Sequence, residues 1–180
     1  MTKSKGNSYS FKISVVGNGF VGKTSLIRKY TQGTFETNYI KTIGAQFSKY
    51  KKEIKGDNAI LFFWDIAGQD RFQFLRSSFY RDSNGAILVY SLEENKVGEK
   101  SLKDIPMWFK EIREYCGDIP IIIFANKVDL VNEDDLDDKE IYEYVKKKEI
   151  LDYYRTSAKT GKNVIDAFET IIHKLYNKFA

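Results

Sequence analysis

Sulfur and imidazole are scarce in this chain: its 180 residues hold one cysteine, Cys116, and one histidine, His173. A single thiol excludes an intrachain disulfide and a zinc cluster built on cysteines, and it suits a reducing cytosol. His173 stands beside Lys174 on the polar face of the last helical stretch and reads as a solvated side chain. No apolar run approaches the roughly 18 residues that a membrane-spanning helix needs. The segment Met1–Ser10 carries lysines but no apolar core, so it reads as a flexible tail and not as a signal peptide. The net charge of +4 is not gathered into a stripe, because the lysines are scattered among 25 acidic residues. With no basic face interleaved with aromatics, a nucleic-acid partner is not expected. The acidic run Glu133–Asp138 resembles a metal loop, but Leu136 and the missing glycine break the EF-hand spacing. Acids ahead of a helix that ends in Lys146-Lys147-Lys148 are explained by the helix dipole alone. Neither a repeat nor a linker interrupts the chain, so residues 11–180 are expected to form one domain.

Apolar patterning alternates between strand and helix. Phe11–Val16, Ala59–Trp64, Ala86–Tyr90 and Ile121–Ala125 are short, near-continuous apolar runs of the kind that parallel sheets bury on both faces. Gln46–Ile54 reads as a more exposed strand, joined to the next by the turn Lys55–Asn58, and Ile150–Arg155 as a weaker last strand. Helices are expected from Ser25 to about Gly33, and near Phe72–Tyr80, Ser101–Cys116, Lys139–Lys147 and Val164–Phe179. The last of these carries a clean apolar stripe at 164, 168, 171, 172, 175 and 179. This alternation predicts a doubly wound α/β sheet with its ligand site at the carboxyl ends of the strands.

Gly17-Asn18-Gly19-Phe20-Val21-Gly22-Lys23-Thr24 lies between the first strand and the first helix and reads G-x-x-x-x-G-K-T. Gly17 and Gly22 let consecutive backbone N–H groups face one concavity, and the helix start adds unpaired donors. Lys23 is expected to be a mobile charge for terminal phosphates, and Thr24 a ligand of Mg²⁺. Ser25 completes the loop. Asp65, at the tip of a buried strand, can hold Mg²⁺ through water, and Gly68 lets an N–H approach a terminal phosphate. Gln69 is placed to orient an attacking water. Asn126-Lys127-Val128-Asp129 and Ser157-Ala158-Lys159 follow the next two buried strands. A carboxylate at 129 accepts from guanine N1–H and the 2-amino group, whereas adenine would leave it unpaired. Backbone N–H groups near Ala158 suit guanine O6, Asn126 is expected to tie the loops together, and the stems of Lys127 and Lys159 can sandwich the base.

From about Phe11 to Tyr176 these motifs make the chain resemble a Ras-like small GTPase, with Rab as the nearest flavour. Asn38-Tyr39-Ile40-Lys41-Thr42-Ile43-Gly44 resembles the first Rab switch, Trp64–Phe72 the second, and Phe79-Tyr80-Arg81 a further Rab signature. The resemblance implies a P-loop NTPase fold, with a six-stranded, mostly parallel sheet, one antiparallel strand and about five helices. It also implies that Thr42 ligates Mg²⁺ and senses the γ-phosphate. On that footing Gln69, Lys23 and Thr42 are the expected catalytic residues, with GTP or GDP and Mg²⁺ bound. Effectors, an exchange factor and a GTPase-activating protein are expected on Thr34–Phe47 and Asp65–Arg76 of a monomer, in a setting of vesicle traffic.

Departures from the family pattern are specific. Phe20 stands where a small residue is usual, Ile66 where threonine is, and Asp70 where Rab proteins carry glutamate. The stretch Tyr90–Trp108 looks a few residues longer than its counterpart. The final Asn177-Lys178-Phe179-Ala180 has no cysteine to prenylate, and Met1-Thr2 lacks the glycine that N-myristoylation needs. The expected location is therefore cytoplasmic, and peripheral on a membrane only if a lipidated tail lies beyond this sequence. A slowly hydrolysing switch, an interaction module with little hydrolysis and a metabolic kinase all remain open, the last disfavoured by the guanine-reading motifs.

Overall fold

The protein is described from a computed structural model that covers residues 6–37, 42–68 and 73–180. Six strands form one sheet: β1 (Ser8–Val16), β2 (Ala45–Ile54), β3 (Asp57–Ile66), β4 (Gly85–Ser91), β5 (Ile121–Asn126) and β6 (Tyr153–Thr156). Their order is β2-β3-β1-β4-β5-β6, and β2 alone runs antiparallel to its neighbour. β1 begins at Ser8, three residues earlier than its apolar core suggests, because Ser8 to Ser10 pair with Asn58 to Ile60 of β3. β4 and β5 are buried along their whole length, as strands covered by helices on both faces must be. The β2–β3 connection is tighter than the expected four-residue turn. Lys55 (φ 52°) and Gly56 (φ 87°) are both left-handed, the pairing that a two-residue hairpin requires.

Helices α1 (Lys23–Gln32) and α6 (Val164–Phe179) cover one face of this sheet. α2 (Gln73–Tyr80), α4 (Ile105–Cys116) and α5 (Lys139–Lys147) cover the other, with α3 (Lys96–Lys103) preceding α4. Phe168 of α6 is the hub of the first core. It stacks on Tyr30 of α1 at 4.5 Å and meets Phe63 and Phe124 edge-on at 5.3 and 5.2 Å. α1 ends where Gly33 adopts φ 71° and donates to the Lys29 carbonyl.

Among the described residues six α-helices stand where about five were expected, because the helix predicted from Ser101 is two. α3 starts at Lys96 on a cap in which Asn95 Oδ1 accepts from the N–H groups of Val97 and Gly98. It stops at Asp104 because Pro106 has no N–H to return to the preceding turn. Parallel strands point their carboxyl ends the same way, so the loops after β1, β3, β5 and β6 meet along one edge.

Candidate functional site

The loop after β1 holds its shape at positions where a side chain cannot go. A Cβ on Gly17 (φ 142°) would lie 2.1 Å from the Val89 carbonyl oxygen, and one on Gly22 (φ 97°) 2.3 Å from Asn126 Nδ2. Phe20 also has a positive φ, 68°, the conformation that glycine adopts freely and phenylalanine only at a cost of about 1–3 kcal/mol. The first turn of α1 has no side-chain cap and no acidic residue, so its N–H donors face outward for an external acceptor.

Lys23 is pinned rather than mobile. Its ammonium is buried and donates to the carbonyls of Gly17 at 2.9 Å and Asn18 at 2.8 Å. Burial lowers its pKa to about 8; the Asp65 carboxylate works against that shift and the Arg76 guanidinium adds to it. Asp65 is 3 % exposed. Its Oδ2 accepts from the hydroxyls of Thr24 and Thr42, the latter at 3.2 Å, and the two hydroxyls lie 3.2 Å apart. The other oxygen, Oδ1, is buried with no hydrogen-bond partner. Thr24, Thr42 and Asp65, far apart in sequence, thus converge on one point. Gly68 closes this end: a Cβ there would lie 2.1 Å from the Gly17 carbonyl and 2.7 Å from the Gly19 nitrogen. Gln69 lies outside the described residues, as do Asn38–Lys41 and Asp70–Phe72.

The other end is built around Asn126. Its amide nitrogen donates to the Val21 carbonyl at 2.9 Å, while its oxygen accepts from Thr156 Oγ1 at 3.3 Å and the Ala158 N–H at 3.2 Å. Three loops are therefore tied by one buried side chain. Ser157 Oγ donates to Asp129 Oδ1 at 2.6 Å and accepts from the Thr160 N–H at 3.0 Å, which aims the carboxylate. Lys127, left-handed at φ 68°, directs its ammonium to Glu93 at 2.5 Å. Burial opposes ionisation of Glu93, but Lys127 and Ser91 outweigh it and hold its pKa below the usual carboxylate value.

Between the two ends lies a cavity of about 440 Å³ bordered by Phe20, Gly22, Thr24, Ser25, Lys127, Asp129, Ala158 and Lys159. Phe35, Leu130 and Arg28 border it as well. Sequence reasoning missed these three, together with Glu93. An aromatic in the polar stretch after α1 was the only hint of Phe35. A wider, more open hollow of about 550 Å³ lies by Asp138, Tyr142 and Arg155. There the Arg155 guanidinium is already paired with Asp138 at 2.6 Å, and no motif residue borders it. Two expected members face elsewhere. The side chain of Asn18 turns to Asp104 and Trp108, and Arg76, expected on a partner surface, is 2 % exposed.

Strand order, phosphate-type loop and carboxylate-bearing loops together define a P-loop GTPase fold. A profile of the Ras family matches residues 12–177. The chain is 40% identical over 164 residues to the Ras-related protein Rab-21 of Bos taurus, covering 91% of this chain and 72% of that protein. The Homo sapiens Rab-21 aligns at 40%, covering 91% of this chain and 71% of that protein. The Homo sapiens Ras-related protein Rab-30 is 34% identical over 171 residues, covering 94% and 82%. The chain belongs to the Ras family, on its Rab side, and is a small GTPase.

Proposed function

We propose that this chain is a guanine-nucleotide switch that hydrolyses GTP slowly and displays its nucleotide state on the segments around Thr34–Phe47 and Asp65–Arg76. The observation that carries this reading is the convergence of Thr24, Thr42 and Asp65 beside the buried ammonium of Lys23. An orphaned, buried Asp65 Oδ1 next to two hydroxyls is a donor set that suits a hard divalent cation and its waters. Mg²⁺ at that point would neutralise charge on the terminal phosphates. Thr24 and Thr42 would ligate it directly and Asp65 through water. The loop from Gly17 to Gly22, Lys23 and Ser25 would bind the phosphates, and Lys23 would shift its donors from two carbonyls to phosphate oxygens. Asp129 would read the base, held in place by Ser157. Ala158 would meet O6, and the stems of Lys127 and Lys159 would cover the ring faces. Gln69 and the N–H of Gly68 would meet the γ-phosphate side.

The surface beside these segments supports partner binding. Phe47 and Phe74 are 62% and 75% exposed, and Trp64 bridges Phe47 at 5.9 Å and Phe79 at 6.2 Å. Exposed aromatics such as Phe47 and Phe74 are the usual anchors of a protein interface. A setting in membrane traffic follows from the Rab relatives, with any membrane contact peripheral; among the described residues no helix is long and apolar enough to cross a bilayer.

A thermal-shift panel of GTP, GDP and ATP with Mg²⁺ tests the binding reading, since ligand at 100 times its Kd adds about 2.7 kcal/mol of stability. GTP and GDP should stabilise and ATP should not; stabilisation by ATP alone overturns base reading at Asp129. Single-turnover phosphate release separates a switch from a binding module. Gln69→Leu should slow that release by about ten- to a hundredfold, or roughly 1–3 kcal/mol, with GTP binding retained. Release at the wild-type rate would remove Gln69 from the reaction.

A further inference from the structure

Asn18 lies in the phosphate-type loop, yet its side chain serves a helix. Its Nδ2 donates to Asp104 Oδ2 at 2.6 Å, and its Oδ1 accepts from Trp108 Nε1 at 2.7 Å. A carboxylate cannot donate and an indole cannot accept, so the orientation of the amide is fixed by its partners. The backbone carbonyl of the same residue accepts from Lys23 Nζ. Asn18 therefore joins the lysine's resting place to the start of α4.

The same face of α4 reaches further. Asp104, Trp108 and Glu111 recur at i, i+4 and i+7, which places them in a line along one side of the helix. Past Trp108, the Arg76 guanidinium of α2 lies 4.3 Å from the indole centroid. Arg76 Nη1 is 3.1 and 3.3 Å from the two Glu111 oxygens, and Tyr80 Oη donates to Glu111 Oε2 at 2.8 Å. Glu111 is partly shielded and Arg76 almost wholly, so the pair holds α2 in one seat; moving α2 would strand a buried charge. Trp108 is shared: one group fixes the loop, its ring fixes the arginine.

We propose that this face of α4 couples the seating of α2 to the phosphate loop, with Arg76 and Asn18 as positioning residues at its two ends. The proposal rests on the reading of the site as a guanine-nucleotide site and adds two positioning residues to it. A partner that draws α2 away from α4 would free the Trp108 ring, loosen the amide of Asn18 and shift the carbonyl on which Lys23 rests.

The test is a double-mutant cycle on release of a fluorescent GDP analogue at fixed Mg²⁺, using the full chain: wild type, Asn18→Ala, Arg76→Ala and both. The residues act through Trp108, so each single substitution should speed release about fivefold, and the double should be no faster than about twice the quicker single. Multiplication of the two effects, to about 25-fold, would overturn the coupling, as would an Asn18→Ala rate equal to that of wild type. Lys110→Ala, on the exposed side of the same helix, is the control and should leave release unchanged in either background. If Arg76→Ala does not fold, Arg76→Lys replaces it in the cycle: lysine keeps a charge opposite Glu111 but cannot lie flat on the indole. A wild-type chain that bound no GDP would overturn the site reading and the coupling together; multiplicative effects in a chain that binds GDP would overturn the coupling alone.

Discussion

The two ends of the candidate site are finished to different degrees. Around Asn126 every buried polar group has a protein partner: Val21, Thr156 and Ala158 take the amide, and Ser157 takes Asp129. Around Lys23 the charges outnumber their partners. An ammonium rests on two carbonyls, and a buried carboxylate oxygen accepts nothing. One end carries its own complement before anything binds. The other holds unpaired desolvation cost that only an anion and a cation together relieve. On the proposed reading, a nucleotide would gain specificity at the first end and most of its affinity at the second.

Substitutions that separate binding from stability probe this contrast. The largest effect is expected at Lys23. Lys23→Met should weaken GDP by about a hundred- to a thousandfold, or roughly 3–4 kcal/mol, because the charge proposed to meet the phosphates is lost. It should leave urea stability of the nucleotide-free chain within about 1 kcal/mol of wild type, since the desolvation cost of the buried ammonium offsets its two carbonyl hydrogen bonds. A large loss of stability without nucleotide would show that the phosphate end is as self-contained as the base end.

Asp129→Asn should weaken GTP by about a hundredfold, an amide NH₂ then facing the 2-amino donor. Xanthine carries a carbonyl at that carbon and should gain relative affinity; an unchanged ratio of GTP to XTP affinity removes Asp129 from base reading. Asn126→Ala should do what Lys23→Met does not and lower stability without nucleotide by about 2–3 kcal/mol, since three loops lose a shared buried anchor. Intact urea stability there would mean that the base end is no better knit than the phosphate end. Phe20→Gly is the smallest: the ring borders the cavity while 52% exposed, so its loss should speed GDP release about fivefold, for roughly 1 kcal/mol of packing. A displacement rate within about twofold of wild type would show that the ring does not cover the nucleotide.

Much of this was legible from residue types alone. Four buried apolar runs and one clean helical stripe were enough to place the sheet and α6, because burial on both faces leaves a strong pattern. Motif positions could be read because backbone geometry at Gly17, Gly22 and Gly68 admits no side chain. The split between α3 and α4 was obscured because Pro106 is compatible with a first helical turn, so the apolar spacing ran on through it. Glu93 and Arg76 were illegible for another reason. A charge that finds its partner 34 or 35 residues away leaves no local signature, and Arg76 read as surface until Trp108 and Glu111 enclosed it.

The hub at Phe168 has a consequence for how the protein is made. α6 is the last helix among the described residues, and through Phe168 it closes the core that also contains Val15, Phe63, Ile87 and Phe124 of four different strands. The loop with Ser157 and Ala158 emerges only just before it. A ribosome adding about 5–20 residues per second will have exposed the phosphate loop many seconds before either arrives. During that interval the nascent chain has a phosphate loop but neither half of its lining complete. Loading with nucleotide must therefore await α6, and a chain that stalls before residue 164 should be handed to chaperones empty.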